Sequence, residues 1–260
     1  MPVKVLVTVL TYPCPSLKYV ETVCTAGVTE DGRWVWMYPL RLRMLDNDIH
    51  KWHWYEFDLE QRPADKDVRM ESYYCLHVPH QSSGFIGTED KWRERRRSCV
   101  DVFTSFARWG SAIEYKKGLR ILSLGTFKPV AITNLKAEHV DISKLEEKKK
   151  EILENMHTQM VLFDAEDRNL YWKMAESIPY RFSYEACDAD GVKKWVLVED
   201  RELFSLFLKC RNISGNERVA IKKVREKYLD AFSHKDIGCT TERPDAAPIL
   251  FHHRSVLSVT

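Results

Sequence analysis

The sequence predicts a mixed α+β fold in which two β-barrel-like units follow one another and carry added helices. Two observations support this prediction: runs of β-branched and aromatic residues alternate with polar ones, and a hairpin pattern occurs once in each half. At 260 residues, with 44% hydrophobic and 30% charged residues, the chain has the composition of a globular protein of one or two domains. We predict a first unit over residues 1–137, with an inserted basic helix, and a second over residues 138–260.

The hairpin of the first half is the clearest local pattern. Residues 20–28 and 33–43 read as its two strands, and the turn between them ends at Gly32. The period of two along a strand places three aromatic residues of the second strand on one face, and two arginines follow them. These residues are Trp34, Trp36, Tyr38, Arg41 and Arg43.

Other strands are expected on both sides of this hairpin. In the first unit they cover residues 3–12, 52–59, 68–78, 120–129 and 130–135. In the second unit, residues 180–187 and 192–198 form another hairpin with an Asp-Gly turn. The tail from Gly238 holds weak strand residues that the pattern does not place.

Helices are expected where apolar residues recur at helical spacing. Three longer ones cover residues 89–109, 143–160 and 217–233, and a short buried one lies near Leu203. Ser143 and Glu146 have the spacing of a capping box. Asp200, just before the apolar run at Leu203, is typical of a helix N-cap.

Several classes of protein are not favoured by the composition. No apolar run approaches the ~18 residues of a membrane span, and the amino terminus lacks the pattern of a secretory signal, so we expect a cytoplasmic protein without a membrane partner. The seven scattered cysteines indicate reduced thiols, and we expect neither a metal nor a cofactor. The strongest metal candidate, Cys75 with His77 and His80, is better explained by strand residues.

Charge and aromatic residues together indicate a binding surface. Between Lys91 and Arg120, nine Lys and Arg stand against three Asp and Glu, a local +6 in a chain of net charge +2. Basic groups attract phosphates and aromatic rings stack on bases, although the same aromatics can form a barrel core, as we expect for Trp34. The candidate nucleic-acid-binding residues are Arg41, Arg43, Trp36, Tyr38, Trp52, Trp54, Arg93, Arg97, Arg218, Lys222 and Arg225.

The motif-rich opening resembles that of bacterial proteins described as dual OB-fold-containing. The similarity lies in Tyr12-Pro13-x-Pro15-Ser16-x-Lys18-Tyr19-x-Glu21-Thr22-Val23-Cys24-x-Ala26-Gly27, and it continues at Leu124-Gly125-x-x-Lys128-Pro129 and Ile178-Pro179-Tyr180-Arg181-Phe182-Ser183-Tyr184. The resemblance implies two OB-like units in tandem, each a five-stranded, partly open barrel that binds oligonucleotides or oligosaccharides. It implies no activity, and the chain departs from the pattern after Gly238.

The sequence therefore favours a non-catalytic protein that binds single-stranded DNA or RNA. No phosphate-binding glycine loop, dinucleotide fingerprint, zinc-protease motif or nucleophile elbow occurs, so no catalytic residue is assigned. One alternative is a protein-interaction adaptor or small-nucleotide sensor in a bacterial multi-protein system. Another, less favoured, is a metal-dependent nuclease that uses Glu199, Asp200 and Glu202. The oligomeric state is not predicted.

Overall fold

The computed structural model describes residues 2–41, 49–77, 80–98, 102–108, 123–160, 174–231, 236–242 and 249–257. For residues 41, 80–83, 90–92, 96, 156–160, 236–242 and 249–257 it describes the backbone alone. Within these ranges the chain forms two mixed sheets, four α-helices of nine residues or more and a helical turn at residues 106–108.

The first sheet contains eight strands from the first third of the chain. They run in the spatial order β6-β7-β4-β3-β1-β5-β8, with β2 paired to β3. The hairpin predicted at residues 20–43 is confirmed as the antiparallel pair β3–β4. The strands are β1 (Val3–Leu10), β2 (Cys14–Ser16), β3 (Val20–Thr29), β4 (Trp34–Arg41), β5 (His53–Phe57), β6 (Leu59–Gln61), β7 (Ser72–Cys75) and β8 (His80–Phe85).

The second sheet contains seven strands in the order β11-β12-β13-β15-β14-β10-β9. Its hairpin β12–β13 confirms the second predicted hairpin, with Gly191 at positive φ in the turn. The unplaced tail supplies β15, which pairs with β13 and β14. The strands are β9 (Val102–Phe103), β10 (Leu124–Phe127), β11 (Ala131–His139), β12 (Tyr180–Cys187), β13 (Lys193–Val198), β14 (Asp236–Glu242) and β15 (Ile249–Leu257).

The helices are α1 (Glu89–Arg97), α2 (Ser143–Met160), α3 (Arg201–Ser214) and α4 (Glu217–Arg225), which continues into a π-helical turn, Glu226–Asp230. Helices α3 and α4 pack on the second sheet, where Phe207 and Val224 meet Phe182 and Tyr184. The mixed α+β class is thus confirmed. No strand pairing among the described residues closes either sheet into a barrel.

Three local predictions need correction. The helix expected to reach residue 109 ends at Arg97, because Val102 and Phe103 pair with β10 instead. The capping box of α2 is not formed, since Asp141 Oδ1 accepts the hydrogen bonds of the Ser143 backbone and hydroxyl. Strands β10 and β11, assigned to the first unit, pair with β14 and β12 of the second sheet.

Candidate functional site

A groove of about 450 Å³ lies between the two halves of the chain. One wall is the segment before β5, with His50 and Lys51, and the other is one face of α3. Arg201, Ser205 and Lys209 line it because residues four apart lie on the same face of a helix. Lys227, on the π-helical turn, completes this surface, which we call the basic groove.

Helix α3 is held in place by its ends and by its buried face. Asp200 is its N-cap, as predicted, and its Oδ1 accepts a hydrogen bond of 2.7 Å from the backbone of Glu202. Gly215, with φ of 65°, ends the helix in the left-handed conformation that glycine adopts without strain. Leu203 and Phe207 are buried against the second sheet, so the Arg201–Lys209 face is left for the groove.

A buried ion pair forms the floor of the basic groove. Lys51 Nζ lies 2.7 Å from Asp200 Oδ2 and 3.4 Å from Glu202 Oε2, and the side chains of Lys51 and Asp200 are almost wholly buried. Burial by itself lowers the pKa of Lys51, but the nearby Asp200 and Glu202 carboxylates outweigh it and raise the pKa. Lys51 is therefore charged, and the two acids exceed its charge by one.

Two of the remaining cations of the groove, Lys209 and Lys227, are exposed, and Arg201 is partly buried. Lys209 and Lys227 form no ion pair with any residue in the described ranges, and Arg201 lies beside them. Lys51, Asp200 and Glu202 together carry one negative charge, so Lys209 and Lys227 still leave the groove with an excess of positive charge. Such a surface attracts phosphate or other anions.

A row of rings extends from the groove along β5 and β8. The His50 and His53 ring centres are 5.5 Å apart, and those of His53 and Phe85 are 5.1 Å apart. Phe85 is 55% exposed, and the Arg95 guanidinium lies 5.9 Å from its ring centre. We call His50, His53 and Phe85 the aromatic row; it provides ring faces beside a cationic groove.

The tryptophans predicted to stack on bases are mostly in the core. Trp36 is 3% exposed because it packs with Trp34 and Leu124, which also confirms Trp34 as a core residue. Trp52 is 4% exposed, and the Arg95 guanidinium covers its ring at 4.6 Å. The prediction of ligand stacking on Trp36 and Trp52 is therefore corrected, since their faces are occupied by the protein itself.

Other predicted residues remain at the surface. Tyr38 is partly exposed, and Arg93 is exposed on α1. Trp54 and Arg97 line a separate cavity of about 280 Å³. The Arg41 side chain and all of Arg43 lie outside the described residues.

The three predicted basic residues of α4 separate into two roles. Arg218 and Lys222 are exposed. The Arg225 guanidinium donates hydrogen bonds to the Leu135 carbonyl and, at 3.2 Å, to Asn134 Oδ1. Arg225 therefore anchors α4 to β11, and its assignment to ligand binding is corrected.

Several residues of the basic groove and the aromatic row were not predicted from the sequence, because their sequence signals are weak. The spacing of Arg201, Ser205 and Lys209 is helical, but nothing in the pattern shows which face stays exposed. Phe85 lies in a polar segment without clear alternation, so its exposure could not be inferred. His50 and His53 become candidates for binding only because their rings contact each other and Phe85 of β8, which the sequence pattern does not show.

Cys75, part of the predicted metal candidate, belongs to no cluster of metal-ligating side chains in the described residues. Within the described ranges, no three His, Cys, Asp or Glu side chains are grouped so that they could hold a metal ion. Cys75 Sγ donates to the His77 carbonyl at 3.0 Å, and burial raises its pKa to about 11. No helix of the described residues combines the length and apolar character of a membrane span.

Comparisons with known proteins give two family matches. Residues 1–101 match the model of a domain of unknown function, DUF8758, and residues 111–238 match that of another, DUF8757. No curated protein matches the chain. Among solved structures, the chain is similar to a replication protein A heterotrimer bound to single-stranded DNA, at 11% identity and a TM-score of 0.22. That match covers 98% of this chain but only 65% of the other, and it does not establish a common fold.

Proposed function

We propose that the protein binds single-stranded nucleic acid along the basic groove and the aromatic row. The observation that carries this proposal is the continuity of the two features through His50, which lines the groove and contacts His53. A single strand exposes both phosphates and base faces, and a cationic groove beside stacked rings is complementary to both.

The phosphates would lie on the cations of the two facing elements. From Arg201 to Lys209 the helix rises about 12 Å, which is long enough for more than one phosphate contact. Lys227 faces this stripe from the π-helical turn. The two lysines are point charges on flexible stems, so they favour the sugar–phosphate backbone over any base sequence.

The bases would stack on the aromatic row. Phe85 offers an exposed ring, and the centre of the His53 ring lies 5.1 Å from the centre of the Phe85 ring. A double helix hides its base faces, so this contact favours single strands over duplexes. The exposed Arg93, Arg97, Arg218 and Lys222 stay predicted contributors on neighbouring surfaces.

This proposal retains the predicted ligand but moves its site. The OB-like architecture of the two units and the relationship to dual OB-fold proteins also remain proposals. The structure favours the nuclease alternative less, because Asp200 is already engaged by Lys51 and by the helix backbone. The adaptor alternative has no specific contact to support it.

Fluorescence anisotropy with labelled oligothymidylate and oligouridylate of about 16 nucleotides, read at several salt concentrations, tests the proposal. We expect salt-sensitive binding that Lys209→Ala with Lys227→Ala weakens. Two lost phosphate contacts lower the slope of log affinity against log salt by about 1.4. Phe85→Ala weakens binding by about 5- to 150-fold, the value of one lost stacked base.

The matched control is Lys144→Ala with Lys150→Ala, which removes two exposed lysines from α2 and leaves binding unchanged. The proposal is wrong if the folded wild-type chain binds neither oligonucleotide at micromolar concentration. Equal affinities of the groove and α2 double variants would also contradict it.

A further inference from the structure

A second cavity, of about 410 Å³, lies between the β3–β4 turn and the β6–β7 pair, away from the basic groove. Its walls combine the apolar and aromatic side chains of Val35, Leu59, Met70, Tyr73 and Trp34 with the polar ones of Thr29, Arg33 and Gln61. The volume is that of a small-molecule site, and the apolar and aromatic part of the wall favours a flat ring. We call it the β6–β7 cavity.

Two residues that line this cavity have a buried polar atom without a hydrogen-bond partner in the described part of the chain. They are Glu71, through Oε2, and Trp34, through Nε1. Both side chains are more than nine-tenths buried. Leaving a buried donor and a buried acceptor unpaired is unfavourable, so such groups call for a partner that the described residues do not supply.

The orientation of the Glu71 carboxylate is set by Ser123. Glu71 Oε1 accepts hydrogen bonds of 2.6 Å from both the backbone and the hydroxyl of Ser123. These bonds hold Oε1 toward Ser123 and leave Oε2 as the unused acceptor. One unused acceptor and one unused indole donor thus belong to residues that line the cavity, and both atoms lie beneath its surface.

We propose that the β6–β7 cavity binds a nucleoside whose base carries an amino group next to a ring nitrogen, the arrangement found in adenine. The amino group donates to Glu71 Oε2, and the ring nitrogen accepts from Trp34 Nε1. Tyr73 and Met70 cover the faces of the base. Both polar atoms lie under the cavity surface in the unliganded chain, so binding requires the side chains that cover them to move aside while the Ser123–Glu71 hydrogen bonds stay in place. This site is separate from the basic groove. Binding of a nucleoside there is what a small-nucleotide sensor would require.

Isothermal titration with adenosine tests this assignment, and purine riboside, which has the same rings without the amino group, is the matched control ligand. We expect saturable binding of adenosine and at least tenfold weaker binding of purine riboside. Glu71→Gln reduces adenosine affinity to the level of purine riboside, because the Ser123 donors hold the amide oxygen and leave an NH₂ group against the ligand's amino group.

A surface variant keeps the test valid if the buried change disturbs folding. Met70 is 47% exposed at the edge of the cavity, and Met70→Trp fills the space while leaving the core intact. We expect it to abolish adenosine binding without changing the melting temperature.

The groove variant Lys209→Ala with Lys227→Ala leaves adenosine affinity unchanged, which separates this site from the proposed single-strand site. The assignment is overturned if the folded wild-type chain does not bind adenosine at millimolar concentration. Equal affinities for adenosine and purine riboside, or unaltered binding by Met70→Trp, would overturn it as well.

Discussion

Trp36 and Phe85 show how burial separates aromatic side chains of similar chemistry. The alternation along β4 correctly places Trp34 and Trp36 on one face, but Leu124 of the second sheet packs on that face and closes it. Phe85 ends a short strand at the edge of the first sheet, and its ring stays 55% exposed. Of the two rings, Phe85 is the more accessible, although it lies in the more polar stretch of sequence.

Glu199 is a partly buried acid whose ionisation opposes folding. Burial raises its pKa to about 6, and the nearby Arg181 only partly offsets this effect. Because the folded chain binds this proton more tightly than the unfolded chain, stability decreases as the pH rises from 4.5 to about 6. Glu199→Gln should therefore stabilise the protein at pH 7, by up to about 2 kcal/mol.

Urea unfolding of Glu199→Gln at pH 4 and pH 7 checks this prediction. We expect a difference from wild type at pH 7 and little at pH 4, where both chains carry a neutral group. Glu154→Gln, an exposed change on α2, is the control and should alter stability little at either pH. An equal effect of Glu199→Gln at both pH values would show that its proton is not involved.

At the scale of elements, the close approach of β1 and β3 depends on one glycine. A Cβ at Gly27 would overlap the Leu6 carbonyl oxygen and the Val5 side chain, both in the paired strand β1. Since Leu6 is fixed by the pairing of β1 with both β3 and β5, it cannot move away without loss of the sheet. A side chain at position 27 must therefore distort the centre of the first sheet.

Gly27→Ala should destabilise the protein by at least about 1 to 3 kcal/mol, the usual cost of overpacking a core. Thermal unfolding followed by circular dichroism measures this loss. Gly191→Ala is a useful comparison, because its positive φ strains alanine but nothing lies near the added Cβ, so its cost is strain alone, about 1 to 2 kcal/mol. An unchanged melting temperature for Gly27→Ala would mean that β1 and β3 can separate.

At the scale of the whole molecule, polar contacts join the first sheet to the second half of the chain. Lys51 pairs with Asp200, and Glu21 Oε1 accepts a hydrogen bond of 2.6 Å from the Ala175 backbone. Tyr12 donates to the Glu176 carbonyl at 2.9 Å and contacts Phe204, while burial, with help from Glu176, raises its pKa to about 12. We therefore expect the two halves to unfold together.

Lys51→Met tests this linkage because it leaves the Asp200 carboxylate buried without its cation. The expected loss of stability is about 3 to 5 kcal/mol, measured by urea unfolding. Lys4→Met breaks the exposed Lys4–Glu30 pair and should cost no more than about 1 kcal/mol. Tryptophan fluorescence, which is dominated by the first half, and far-ultraviolet circular dichroism should shift together; separate transitions would show that the halves unfold independently.

The sequence by itself determined the elements whose signals are local. Both hairpins, the N-cap at Asp200 and the extent of α2 follow from turn residues, capping and periodicity, which act over a few neighbouring residues. Only the tertiary structure decided which sheet takes β10 and β11, which face of β4 is covered, and that Arg225 is used within the protein. The basic groove and the β6–β7 cavity were also decided by the tertiary structure alone, because each brings together residues far apart in sequence. Such contacts depend on long-range packing, which period and composition do not specify.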